Sequence, residues 1–343
     1  MAPLVSLPLL LFVVNRPDHH APGGGYRNPW AGSHTPNLGD VLRWMLWERL
    51  VHRLPKQPSQ SSFVRATPSI KPRVVAPQLA VTWIGHASFL LQLDGVNILT
   101  DPVWSNRASP LSFLGPARWV PPSLPIDTLP AIDAILISHT HYDHFDDVTI
   151  RRLAKRHPSA TWFAPLGVGG LLTARAAERV VELDWWEKSS LGDFHFACSP
   201  ARHGSARGLG DRGQTLWCSW DIISPSRRIH FGGDTAYHPD FSRIGERYGP
   251  FDVALMPIGA YEPRWFMRWV HMNPEESVQA YRELCGPHAQ MARAKFVPMH
   301  RGTFKLTDEP MDEPPRRAQE AWEAAGLPAG DFWPLAHGET RLL

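Results

Sequence analysis

The sequence predicts an α/β fold: two mixed β-sheets packed face to face, with helices on the outside. Three observations carry this. From Leu79 onward, short apolar runs of strand length come in groups, with helical patterns between them. Several of these runs are apolar almost throughout and rich in β-branched residues, as buried strands are. No internal repeat and no low-complexity linker divides residues 79–343, which therefore read as one domain.

Residues 1–78 read as an extension packed on, or leading into, that domain. Pro3 to Val14, "PLVSLPLLLFVV", is strongly apolar but too short to span a bilayer, which takes ~20 apolar residues. It lacks the basic start of a secretion signal, and "NRPDHH" is a poor cleavage site. Two expectations stay open: an anchor on a membrane surface, or a segment docked on the protein or partly disordered. Residues 15–78 are rich in Pro, Gly, Ser and His, with one helical stretch from Leu38 to Leu54. Leu42, Trp44, Met45, Trp47 and Leu50 give it a broad apolar face, which reads as core packing.

"LAVTWIGHASFLLQLDGVNILTDP" predicts three strands with a tight turn at Asp94-Gly95. "AIDAILIS" (131–138) predicts a buried strand. Asp146 or Asp147 then caps a helix through Arg156, stopped by Pro158. "ATWFAP" is a strand, a helix follows near 167–178, and "RVVELD" is a strand. "DFHFACSPARH", "TLWCSWDII", "RRIHFGGD" and "FDVALMP" are four more strand-like runs. "NPEESVQAYRELC" is a helix with Asn273 as N-cap, Pro274 after it and Glu276 at the capping-box position. "AKFVPMH" closes the series as a buried strand. Gly208, Gly210 and Gly213 spell GxGxxG, but they lead into a strand-like run. A dinucleotide loop must instead open a helix.

A net charge of +2 with interspersed signs argues against a nucleic-acid platform, which needs a basic stripe. Cys198, Cys218 and Cys285 are odd in number and lack CxxC spacing, so buried free thiols in a reducing compartment are expected. That points to the cytoplasm, with a position peripheral to the membrane and secretion both left open.

The chemistry concentrates in "SHTHYDHFDD", Ser138 to Asp147. His139, His141, Asp143 and His144 fall within six residues directly after a buried strand. Side chains there are presented from a rigid sheet rim. His-x-His aims two imidazoles the same way, and Asp143 with His144 can face a second point. Two metals ~3.5–4 Å apart would use both pairs, as in the two-metal clamp that displaces a leaving oxygen. A divalent cation also makes such crowding favourable, by neutralising the carboxylate and taking the imidazole lone pairs. Further ligands should come from other strand ends. His203, Asp234 and His300 each follow an apolar run, Asp234 after two glycines.

"HTHYDH" resembles the HxHxDH signature of the metallo-β-lactamase superfamily, and His203, Asp234 and His300 match its later ligands in order. More closely, the chain resembles the N-acyl-phosphatidylethanolamine phospholipase D family. The matching stretches are "YRNPW", "WIGHASFLLQLDGVNILTDPVWSNRASP", "FGGDTAY", "MPIGAYEPRWFMRWVHMNPEE" and "HRGTF". The resemblance implies an αββα sandwich, two Zn2+ per chain and phosphodiester hydrolysis of a phospholipid. It implies that His139, His141 and His203 hold one zinc, that Asp143, His144 and His300 hold the other, and that Asp234 bridges. Tyr142 and His271 match positions that contact the substrate phosphate, and Asp143, Asp234 and His271 are the expected catalytic residues. His271 lies just before a helix start, where the dipole favours anions. Asp101 is expected to accept from a ligand imidazole and orient it, and His86 to support the site rather than ligate. Trp265, Phe266 and Trp269 serve either an acyl pocket or the core.

Two departures bear on the substrate. Gly204 stands where the family usually has tryptophan, and Gly210 and Gly213 replace bulkier residues in a loop that borders the site. The alternatives are a lactone, β-lactam or cyclic phosphate substrate, or a metal-binding scaffold without turnover. A homodimer is left open.

Overall fold

The structure, a computed structural model, describes residues 17–32, 38–48, 51, 54–208, 210–286 and 294–343. The apolar run Pro3 to Val14 lies outside the described residues. The first sheet is built from β1 (Leu79–Gly85), β2 (Ser88–Leu93), β3 (Val96–Thr100), β4 (Ala134–Leu136), β5 (Thr161–Pro165) and β6 (Arg179–Leu183). The second holds β7 (Lys188–Leu191), β8 (Phe194–Ser199), β9 (Ser219–Ile223), β10 (Arg228–Phe231), β11 (Val253–Pro257) and β12 (Lys295–Met299). A last strand, β13 (Thr340–Leu342), returns to the first sheet, giving the orders β13-β1-β2-β3-β4-β5-β6 and β12-β11-β10-β9-β8-β7. The main helices are α1 (Leu38–Leu42), α2 (Asp147–Arg156), α3 (Gly169–Thr173), α4 (Phe241–Tyr248), α5 (Arg264–Met267), α6 (Pro274–Cys285) and α7 (Glu313–Ala324).

The continuous apolar runs have a simple cause: each sheet is covered on both faces. Side chains alternate along a strand, so Leu136 and Phe163 point into the core between the sheets. There they meet Phe196, Trp220 and Leu255 of the second sheet. Ile135, Ile137 and Trp162 point the other way and pack on Ile150 and Leu153 of α2. On the far side of the second sheet, Ala254, Met256 and Phe296 pack on Ile244, Tyr281 and Trp322 of α4, α6 and α7. The β2–β3 hairpin turns at Asp94 and Gly95, both in the left-handed region (φ 47° and 79°), which two-residue hairpin loops need. Asp146 caps α2 by accepting from the Val148 amide, and Asn273 and Glu276 form a reciprocal capping box on α6.

Some expectations change. The helix expected from Leu38 to Leu54 is described as α1 followed by a π-helical stretch, Arg43–Glu48. Of its apolar face, Leu42 is 49% exposed, and Leu46 beside it 59%. Trp44 does reach inward, packing on Phe266 and donating to Asp308. Leu50 and the side chains of Met45 and Trp47 lie outside the description. The helix near 167–178 shrinks to the five residues of α3, since Gly167, Gly169 and Gly170 are weak helix formers. The run from Thr215 joins the ladder only at Ser219, because the Leu216 and Cys218 amides bond across to Leu166 and Ser138. The GxGxxG stretch opens no helix; among its described residues the Gly213 amide donates back to Ser205. Cys198 and Cys218 are buried and Cys285 half-buried, all three free.

The extension touches the main domain at several points. The Tyr26 amide donates to Gly213, and Arg65 bridges to His337.

Candidate metal centre

The candidate ligands arrive at one rim of the sandwich from both sheets. His139 follows β4, and its ring Nδ1 meets the Ser138 hydroxyl at 2.9 Å. After His141 the chain turns, with the His144 and Phe145 amides both reaching back to the His141 carbonyl. That turn brings Asp143 and His144 round to the same point. His203 comes from beyond β8, Asp234 from beyond β10 and His300 from the end of β12. Glycines allow the close approach. A side chain on Gly233 (φ 57°) would collide with Ser138 and the Cys218 carbonyl, and one on Gly259 with the His300 carbonyl. His86, Asp101 and His300 all have positive φ, backbone strain of the kind that gathers at functional sites.

Two groups form. In one, His141 Nδ1 lies 2.9 Å from His139 Nε2 and 3.1 Å from His203 Nε2, close enough to share a proton or grip one ion. In the other, Asp143 Oδ2 lies 2.9, 3.4 and 3.5 Å from the Nε2 atoms of His86, His300 and His144. Asp234 joins them: its Oδ2 is 3.1 and 3.2 Å from Nε2 of His300 and His144, and 3.8 and 3.9 Å from Nε2 of His203 and His139. His271 is there too, with Nδ1 3.9 Å from the same oxygen and its ring stacked on His300.

The surroundings orient these rings. Asp101 is fully buried; it accepts from His144 Nδ1 at 2.7 Å, the Ser138 amide at 2.7 Å and the Ser138 hydroxyl at 2.5 Å. His203 Nδ1 bonds the Val270 carbonyl at 2.8 Å, leaving Nε2 for the site. His86 stands nearer the ligands than expected, within the second group itself. Tyr142 donates its hydroxyl to the Arg207 carbonyl at 3.0 Å, and its ring borders a cavity of about 390 Å³ beside Trp104 and Leu111. Phe266 is buried in the core, whereas half-buried Trp265 and Trp269 are covered by Arg43 and Arg268.

Electrostatics favour cations here. Burial, then neighbouring imidazoles, push His139 well below its ordinary pKa and His141 down to about 3, so both stay neutral with lone pairs available. Burial also opposes charge on His144 and His300. There the carboxylates win: Asp234, Asp143 and Asp101 raise His144 well above its usual value, and Asp234 with Asp143 lifts His300 to about 9. Burial works against ionising Asp143 and Asp234 as well, yet His144 and the other imidazoles hold both well below the usual carboxylate range. Fully buried atoms are left without a well-formed hydrogen bond: His144 Nε2, His300 Nε2, His271 Nδ1 and Asp234 Oδ1. Neutral imidazoles in the first group, ionised carboxylates, and in the second group protons that a divalent cation would displace from His144 and His300, together with unpaired buried ligand atoms, fit a divalent metal.

Three contributors were not singled out as site residues, although Asn28 lies in "YRNPW" and Ser138 opens "SHTHYDHFDD". Ser138 ties Asp101 to His139. Asn28 Nδ2 donates to the His203 carbonyl at 2.8 Å from 175 residues away. Arg207 lies over the Tyr142 ring and bonds the carbonyls of Thr140 and Phe145 and the Asp147 carboxylate, clamping the ligand loop.

Comparison with known proteins agrees with this architecture. A model of the beta-lactamase superfamily domain matches residues 96–300. An uncharacterized protein of Mycobacterium tuberculosis is 43% identical over 286 residues, covering 83% of this chain and 74% of that one. The N-acyl-phosphatidylethanolamine-hydrolyzing phospholipase D 1 of Caenorhabditis elegans is 40% identical over 258 residues, 72% of this chain and 70% of that one. Among solved structures, Igni18, a metallo hydrolase of Ignicoccus hospitalis, shares the fold at a TM-score of 0.57 and 23% identity, over 78% of this chain and 98% of that one. The chain is a metal-dependent hydrolase of the beta-lactamase superfamily and belongs, within it, to the N-acyl-phosphatidylethanolamine-hydrolysing phospholipase D family.

Proposed function

We propose that the chain is a dinuclear zinc phosphodiesterase that cleaves N-acyl-phosphatidylethanolamine-like lipids as a phospholipase D does. One observation carries the two-metal reading: a single carboxylate oxygen, Asp234 Oδ2, faces imidazoles of both groups at 3.1 to 3.9 Å. A bridging carboxylate of this kind suits paired metals. In this reading His139, His141 and His203 hold one zinc, Asp143, His144 and His300 the other, and Asp234 is shared. Zinc so held supplies Lewis-acid polarisation of the phosphoryl group and water that is nucleophilic near neutral pH.

The chain's own groups do the rest. Asp234 Oδ1, which has no partner, can accept from the attacking water and orient it. His271 Nδ1 is likewise unpartnered and offers a hydrogen bond to a phosphoryl oxygen. Arg264 bonds the His271 carbonyl at 3.1 Å and Glu276 at 2.8 and 2.9 Å, which holds His271 at the start of α6, where anions are favoured. The lipid assignment draws on the Caenorhabditis elegans relative.

A second reading keeps the metals and changes the substrate to a lactone, β-lactam or cyclic phosphate. It draws on Gly204 and Gly210, where an added side chain would meet nothing within 4 Å, so this border of the site is open. Metal analysis of the purified protein, joined to turnover on a lipid phosphodiester, bis-p-nitrophenyl phosphate, a homoserine lactone and a cephalosporin, tests both. Two zinc ions and preference for the lipid are expected. Preference for the lactone or cephalosporin selects the second reading, and a metal content near zero in protein prepared with excess zinc refutes both. Peripheral contact with the membrane from the cytoplasm belongs to the same proposal. Liposome co-sedimentation of the full chain against one lacking residues 1–14 tests it, with weaker binding expected of the shorter chain. No helix among the described residues is long and apolar enough to cross a membrane.

A further inference from the structure

A second set of metal-ligating side chains lies away from this centre, where the N-terminal segment meets the first sheet. A bridge pairs His20 with Tyr26, and the Ala21 amide donates to Gly25, so the chain folds into a small hairpin. Consecutive residues in extended chain point to opposite faces. Here the turn aims both rings at one carboxylate: His19 Nε2 is 2.6 Å from Asp184 Oδ1, and His20 Nε2 is 2.7 Å from Asp184 Oδ2. One donor atom from each of the three residues lies within 4.8 Å of the others. His19 is buried and stacks on Trp185 at 4.3 Å. The Trp185 amide donates to Asp184 Oδ1 at 2.8 Å and orients the carboxylate from behind.

We propose that His19, His20 and Asp184 bind one divalent transition metal of the zinc class, as a structural clip separate from the hydrolytic centre. Two imidazoles and a carboxylate are a ligand set that zinc accepts, with water completing the coordination. A cavity of about 420 Å³ beside His19, with Asp18, Asp240 and Arg243 in its walls, gives that water room. The clip has a clear mechanical use. The same segment carries Tyr26, whose amide bonds Gly213, Trp30, whose indole donates to Asp240, and Asn28, which holds the His203 carbonyl. Joining residue 19 to residue 184, 165 positions on, fastens the strap that braces a candidate ligand. Binding energy at such a clip becomes folding energy.

The test is zinc content after equilibrium dialysis of the full chain against buffered zinc. His19→Ala/His20→Ala and Asp184→Asn should each hold one equivalent less than wild type, whatever number the hydrolytic centre takes. Equal zinc content in folded variants overturns the proposal and leaves a hydrogen-bonded latch. Should those variants fail to fold, His20→Gln, the least buried change, is made in an Asp234→Asn background. One equivalent lost on adding His20→Gln supports the clip, and no loss overturns it. Because the count is a difference, failure of the two-metal reading would not mimic failure of this one.

Discussion

Replacing Asp101 with Asn would keep the shape of the side chain but remove its charge and turn one acceptor into an N–H donor. The carboxylate accepts three hydrogen bonds, from the Ser138 amide, the Ser138 hydroxyl and His144 Nδ1. The Asn oxygen keeps the first. The hydroxyl can rotate to accept from the new amide group, keeping the second. The third cannot survive as it stands, because Nδ1–H of His144 would face N–H of Asn. His144 must move its proton to Nε2, the atom that faces Asp143 and Asp234 at 3.5 and 3.2 Å. A protonated Nε2 has no lone pair for a metal. The change forfeits one charge-assisted hydrogen bond, about 1.5–3 kcal/mol. At 1.4 kcal/mol per decade this is roughly a 10–100-fold loss of metal affinity. Competition against a chromophoric chelator, with circular dichroism to confirm the fold, measures it. Folded Asp101→Asn protein with wild-type affinity for both metals would falsify the tautomer argument.

Three further outcomes are expected. Asp234→Asn should weaken the metal pair and abolish turnover while circular dichroism stays unchanged; wild-type activity would mean that Asp234 does not bridge. His271→Ala should keep its metals and lose roughly 10²–10³ in kcat, the scale for one charge-stabilising donor. That loss should be larger for phosphodiesters than for neutral lactones, and metal loss instead would make His271 a ligand. Arg207→Ala removes the clamp on two carbonyls and Asp147, so it should lower unfolding stability by about 2–3 kcal/mol in chemical denaturation, below the ~3–5 kcal/mol of a fully buried pair. An unchanged midpoint would show that the ligand loop holds its own shape.

Local chemistry explains what could be read in advance. Strands covered on both faces must be apolar throughout, so β1, β2 and β11 stood out as continuous runs. The α6 start was legible because its cap, proline and glutamate lie within four residues. Where burial is weak the pattern is silent: β7, "KSSL", alternates exposed with half-buried and has no apolar period to detect. In the stretch after Leu38, Trp44 packs inward as expected while Leu42 does not. Its residues are apolar, but Leu42 and Leu46 are left exposed among the described residues, and composition cannot report whether a partner surface exists.

The candidate site divides the same way. The sequence alone determined the donor types and their grouping, because His139, His141, Asp143 and His144 share one loop and the remaining candidates end apolar runs. The resemblance implied that Asp234 is shared; only the tertiary structure decided which oxygen stands between both histidine groups, since Oδ2 reaches the rim from the second sheet and the loop from the first. It also decided which ring nitrogen faces the site, through Asp101 and the Val270 carbonyl. Asn28 and the His19–His20–Asp184 group were equally out of reach. Their partners lie 175 and 165 residues away, and a contact of that span depends on how two sheets pack, which no local period encodes.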